Sequence, residues 1–169
     1  MCEIIDGLTF NSQDLLSQIN LGNGTSETFS YNDRFQMTSQ SLLKGTSIVQ
    51  KYDYSFGQVD LASGTVDVAK NNGQLGKIES FIGNQKQWSQ RFGYDSIGRL
   101  SEASEYRGDN NSLTYKQKFD FDRFGNLYRK QSSNPTTGQA NPLPYTPIED
   151  ADISKATSKF TSQTARFQG

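Results

Sequence analysis

One heptad recurs along this chain, and its recurrence limits the possible folds more than any other feature. The strongest copy is Tyr94-Asp95-Ser96-Ile97-Gly98-Arg99-Leu100, matched by Phe121-Asp122-Arg123-Phe124-Gly125-Asn126-Leu127. Looser copies are Tyr31-Asn32-Asp33-Arg34-Phe35-Gln36-Met37 and Tyr54-Ser55-Phe56-Gly57-Gln58-Val59. Phe10-Asn11-Ser12-Gln13-Asp14-Leu15 is weaker still, and Lys70-Asn71-Asn72-Gly73-Gln74-Leu75 keeps only the second half. Measured at the closing apolar residue, Leu15, Met37, Val59, Leu75, Leu100 and Leu127, the steps are 22, 22, 16, 25 and 27 residues. A period of that size stacks one supersecondary unit after another.

Between the heptads the residues alternate as strands do. Trp88, Phe92 and Tyr94 share one parity, as do Tyr115, Phe119 and Phe121, and so do Ile48, Tyr52 and Tyr54. Each heptad therefore begins at a strand end. The Asp or Asn that follows closes an Asx turn on its own backbone, and the Gly three residues later supplies positive φ. The unit is strand, turn, strand, a β-hairpin. Gly22-Asn23-Gly24, Lys44-Gly45-Thr46, Ala62-Ser63-Gly64, Gly83-Asn84 and Arg107 to Asn111 mark the places where outgoing strands return. The pattern predicts an all-β chain whose consecutive antiparallel hairpins form a twisted, open, meandering sheet.

The hairpin array is expected over residues 8–130. Alternation stops across 131–147, which holds all four prolines, Pro135, Pro142, Pro144 and Pro147, and reads as a linker or surface excursion. Within 148–169, Ile148 to Ile153 suits a short helical turn, and Lys159 to Ser162 suits the truncated start of a further repeat.

Composition narrows function. Leu, Ile, Val and Phe together make 36 of the 169 residues, about 21%, so the core is expected to be thin. There is no histidine and a single cysteine, Cys2, read as incidental, so the commonest general base and the cysteine or histidine zinc sites are missing. No catalytic, cofactor or metal residue is assigned and no enzyme activity is expected. Serine has no histidine partner, and no glycine cradle precedes a Lys-Ser or Lys-Thr pair. The 17 basic and 18 acidic residues are interspersed, which argues against a nucleic-acid groove. No apolar run reaches the length of a membrane span, and no signal peptide opens the chain.

The tracts at 94–100 and 119–128, with those at 31–37 and 54–59 as degenerate copies, resemble the tyrosine-aspartate or Rhs repeat. Bacterial Rhs proteins, the C components of insecticidal toxin complexes and the teneurins carry long arrays of it. The resemblance covers most of residues 8–130. It implies hairpins joined into a spiralling sheet that closes as a hollow shell, often around a toxic C-terminal domain. Family members run to many hundreds of residues, so the chain is expected to be a fragment of a longer, secreted or cell-surface array whose partners are the neighbouring repeats. Nothing in it matches the self-cleaving segment of shell-forming relatives.

The resemblance makes Tyr31, Asn32, Tyr54, Gly57, Gly73, Tyr94, Asp95, Gly98, Arg99, Leu100, Phe121, Asp122, Gly125, Asn126 and Leu127 structural residues of the motif. Asp95, Asp120 and Asp122 offer carboxylates for acid-base work or calcium, but an aspartate that opens a turn is explained by turn chemistry. Trp88 and Tyr94, with Phe92, offer ring faces to a glycan, although packing against neighbouring strands accounts for them too. Asn23-Gly24-Thr25 and Asn110-Asn111-Ser112 fit the glycosylation acceptor pattern. Two functions follow: a structural module of a shell wall, or a binding module for surface glycans or a cell-surface partner.

Overall fold

The computed structural model describes residues 4–121, 125 and 127–133. Asp122, Asn126 and residues 134–169 lie outside the described residues, and with them the expected helical turn and further repeat.

Twelve strands are present among the described residues. They are β1 (Ile5–Phe10), β2 (Leu16–Leu21), β3 (Thr25–Tyr31), β4 (Met37–Lys44), β5 (Ser47–Phe56) and β6 (Gln58–Val59). They continue as β7 (Val66–Asp67), β8 (Leu75–Ile82), β9 (Gln85–Tyr94), β10 (Leu100–Arg107), β11 (Leu113–Phe121) and β12 (Leu127–Ser133). Ten of them form one antiparallel sheet in the order β1-β2-β3-β4-β5-β8-β9-β10-β11-β12, and β6 and β7 form a separate two-stranded ribbon. The sheet does not close, so the expected open meander is what forms. β12 runs to Ser133, three residues into the segment read as a linker from 131.

The return turns of the sheet fall where glycine and asparagine mark them, except that Ala62-Ser63-Gly64 joins β6 to β7 instead of returning a strand of the large sheet. Gly24, Gly45 and Gly83 adopt positive φ at the return turns, and Asn111 does so at 55° between β10 and β11. The heptad turns lie at the opposite end of the strands, because a meander of hairpins places alternate turns at alternate ends.

A single sheet offers no second layer, and the burial pattern reflects that. Every buried residue among the described ones is Gly, Ser, Arg or Glu, and Ser89 and Ser104 are the most enclosed side chains. Strand register places Lys77, Glu79, Ser89, Arg91, Glu102, Ser104 and Tyr106 on one face. Lys77 and Lys86 each pair with Glu79 at 3.2 Å, and Lys116 pairs with Glu102 at 2.7 Å. The other face carries Tyr52, Ile78, Ser80, Trp88, Gln90 and Phe92. Ser80 is buried there in register between Tyr52 and Trp88, whose ring centroids lie 6.2 Å apart.

Candidate functional site

The row of heptad turns is the part of the molecule most strongly specified by sequence. Asp95 Oδ1 accepts from the N–H groups of Ile97 (3.1 Å) and Arg99 (2.8 Å). Asn32 Oδ1 does the same for Arg34 (2.9 Å) and Gln36 (3.1 Å), and Asn11 Oδ1 for Gln13 (2.9 Å) and Leu15 (3.0 Å). Each turn is closed by a backbone bond, Asp95 N–H to Arg99 O at 2.8 Å, Asn32 N–H to Gln36 O at 3.0 Å, and Asn11 N–H to Leu15 O at 2.8 Å. The left-handed position is filled by Gly98 (φ 87°), Phe35 (61°) and Asp14 (57°), and by Gly125 (85°) in the last turn. The weak first copy is thus a full turn. Its closing residue is Leu16, which pairs with Phe10, rather than Leu15.

The third unit corrects the sequence reading. Tyr54 to Val59 and Lys70 to Leu75 are expected as separate turns, with Tyr54 as an anchor. In the structure Phe56 pairs with Leu75 as Tyr94 pairs with Leu100, and Gly57 N–H donates to Gln74 O at 3.2 Å as Asp95 does to Arg99. The two tracts are halves of one turn. Gly57 stands where Asp95 stands, Gly73 (φ 97°) where Gly98 stands, and the residues between them make an excursion that holds β6, β7 and a short 3-10 turn, Val68–Lys70.

Two ties join successive units, and neither was read from sequence. Tyr94 Oη donates to the carbonyl of Leu75 at 2.9 Å, and Tyr31 Oη to that of Leu16 at 2.9 Å. In each case the opening tyrosine of one unit grips the closing residue of the unit before. The second tie runs from the residue preceding the closing apolar one. Gln36 exchanges hydrogen bonds with Asn71, Gln74 Nε2 donates to Gly98 O at 2.9 Å, and the Arg99 guanidinium lies 4.0 Å from the Phe121 ring centroid while its Nε holds Asp95 at 2.7 Å. A long polar residue recurring at heptad position six was the available signal. Partial desolvation raises the Asp95 carboxyl, but the N–H groups of Arg99 and Ile97 and the guanidinium outweigh it and leave it below the usual carboxylate range.

The excursion folds back over β8 and β9 and is seated on Arg91, which is 2% exposed. Arg91 Nη1 donates to the carbonyls of Leu61 (2.9 Å) and Ala62 (2.7 Å), and Nη2 donates to Asn111 Oδ1. Its guanidinium carbon lies 3.7 Å from the centroid of Tyr106, whose hydroxyl donates to Leu61 O at 2.8 Å. Gly64 lies so close above that a Cβ there would meet the guanidinium at 2.7 Å. No sequence signal marked Arg91, because one charge in an alternating strand reads as a solvated position.

The residues proposed to touch a glycan sit on the sheet. Trp88 is half-buried beside Tyr52, and Tyr94 is half-buried with its hydroxyl committed to Leu75, burial raising its pKa above the ordinary tyrosine value. A cleft of about 430 Å³ between the excursion and the fourth turn is lined in part by Asn72, Gln74, Phe92 and Tyr94, but Trp88 does not reach it. Asp120 Oδ1 accepts from the N–H of Phe121 at 2.9 Å. Among the described residues no helix is long and apolar enough to cross a membrane.

No family model and no curated protein matches the chain. Solved structures do. The Photorhabdus luminescens Tc holotoxin pore with a TccC3 point mutation matches at a TM-score of 0.67 and 20% identity, over 98% of this chain and 8% of that one. A TcdB2–TccC3–TEV structure matches at 0.63 and 20%, over 92% and 8%, and a TcdB2–TccC3–Cdc42 structure at 0.60 and 22%, over 82% and 7%. The chain thus spans under a tenth of the length of these neighbours and shares the fold of a part of Tc toxin complex chains.

Proposed function

We propose that the chain is a stretch of the wall of a larger Rhs-type shell, serving to enclose or deliver a toxin. The observation that carries this reading is a unit-to-unit register that never changes along the sheet. The opening aromatic lies three residues beyond one partner and the closing residue two before the other at each junction: Thr28 with Gln18, Asp53 with Ser39, Arg91 with Lys77 and Lys118 with Glu102. A constant register lets hairpins be added without a change of design. The exposed edge strand β1 supports it further, since Ile4, Ile5, Leu8 and Phe10 are all exposed beside it or on it, as suits a strand waiting for a neighbour. On this reading the chain's partners are further repeats, its place is outside the cell as part of a longer protein, and it performs no catalysis.

The test is association of the isolated chain. Sedimentation should show β-rich material that self-associates with concentration, and Leu8→Lys on the edge strand should suppress it. A monomer at high concentration, indifferent to that change, contradicts the proposal.

A further inference from the structure

Four of the five heptad turns connect their strands in five residues, as Asp95 to Arg99 do, yet the third uses the eighteen from Gly57 to Gln74. We propose that Gly57 to Gln74 is a strap that opens from the sheet and recloses as a unit, with Arg91 as its latch and Gly57 and Gly73 as its hinges. The inference is independent of the shell reading.

The roots are built to stay together while the strap moves. Gly57 (φ 136°) and Gly73 (φ 97°) lie in regions where glycine alone turns freely, and the bond from Gly57 N–H to Gln74 O closes the root beneath them. The strap's own bonds depend on the sheet beneath it, because a lone two-stranded hairpin is only marginally stable in water, and they break when it lifts. β6 pairs with β7, Asp60 N–H donates to Thr65 O at 2.8 Å, and Gly64 N–H to Asp60 O at 2.7 Å. The N–H groups of Ala62 and Ser63 and the Ser63 hydroxyl hold the Asp60 carboxyl below its ordinary range.

What fastens it is polar rather than apolar. Val59, Leu61 and Val66 are only half-buried, and Val68 is exposed. The fastening consists of the two Arg91 bonds to Leu61 and Ala62, the Tyr106 bond to Leu61 and, near the Gly73 root, the bonds of Arg34 and Gln36 to Asn71. Segments held by few buried apolar contacts open at a small fraction of the global stability. The closed state also has a built-in penalty: Arg91 Nε is buried with no hydrogen-bond partner, as is Ser89 Oγ two residues away on the same face. Opening hydrates the guanidinium and bares it on the face that carries Lys77 and Lys116.

Hydrogen exchange of the full chain tests this. The amides of Asp60 and Gly64 should exchange at least ~10-fold faster than the ladder amides of β9 and β10, a gap of about 1.4 kcal/mol in opening free energy. Gly64→Ala sets a methyl against the latch at positive φ and should speed the strap amides at least ~10-fold more, leaving β9 and β10 unchanged. Tyr106→Phe, a milder change that keeps the ring over Arg91, should act in the same direction if Gly64→Ala fails to fold. Strap amides exchanging at the rate of β9, or variants that speed strap and sheet alike, would overturn the proposal.

Discussion

The tyrosine ties make a prediction of paired sign. Tyr94 and Tyr31 donate to the closing carbonyl of the preceding unit, whereas the equivalent residues of the third and fifth units are Phe56 and Phe121. Because the register is the same at all four junctions, Phe121 faces the Leu100 carbonyl as Tyr94 faces that of Leu75. Tyr94→Phe removes one half-buried hydrogen bond and should cost about 1 kcal/mol. Phe121→Tyr should gain a similar amount, since its ring already stacks under Arg99 and only a hydroxyl is added. With a urea slope of about 2 kcal/mol/M, each change moves the unfolding midpoint by about 0.5 M, in opposite directions and with the slope unchanged. The double variant should return near the parent, because the two hydroxyls bond different carbonyls, those of Leu75 and Leu100. A Phe121→Tyr chain that is less stable than the parent, or a Tyr94→Phe chain that is equally stable, refutes the equivalence of the junctions.

Three further outcomes follow from the turn row. Gly98→Val, at φ 87°, should destabilise by about 1–3 kcal/mol in the same urea assay. Phe35 sits at φ 61° in the position glycine holds in the third, fourth and fifth units, and the residue is 61% exposed, so Phe35→Gly should leave the chain as stable or raise stability by up to about 1 kcal/mol. The Asp95 carboxyl is held below its ordinary value, so the stability it adds is full above pH 3.8 and is lost as pH falls through its lowered folded value. Asp95→Asn should flatten that acid limb of the pH–stability profile measured by thermal melts.

The fold was legible because its information is local. An Asx turn is specified within five residues, and a meander joins each strand to the next, so turn spacing predicted the sheet order everywhere except at the third turn. What stayed hidden depends on contacts distant in sequence. The third turn was read as two because nothing near Tyr54 or Lys70 states that Phe56 pairs with Leu75. Arg91 escaped notice for the same reason: its partners Leu61, Ala62 and Asn111 lie 20 or more residues away. The thin core was foreseen, but not that its enclosed positions are glycine, serine, arginine and glutamate, with Arg91 held under a strap of backbone carbonyls.

The wall reading is tested most directly by a cryo-electron microscopy structure of the protein as its own cells make it. A shell wall requires further antiparallel strands on the outer edges of β1 and β12, joined in the register of the four junctions described, within one curved continuous sheet. A structure in which either edge is bare, or is covered by a helix or by a strand in another register, would contradict it.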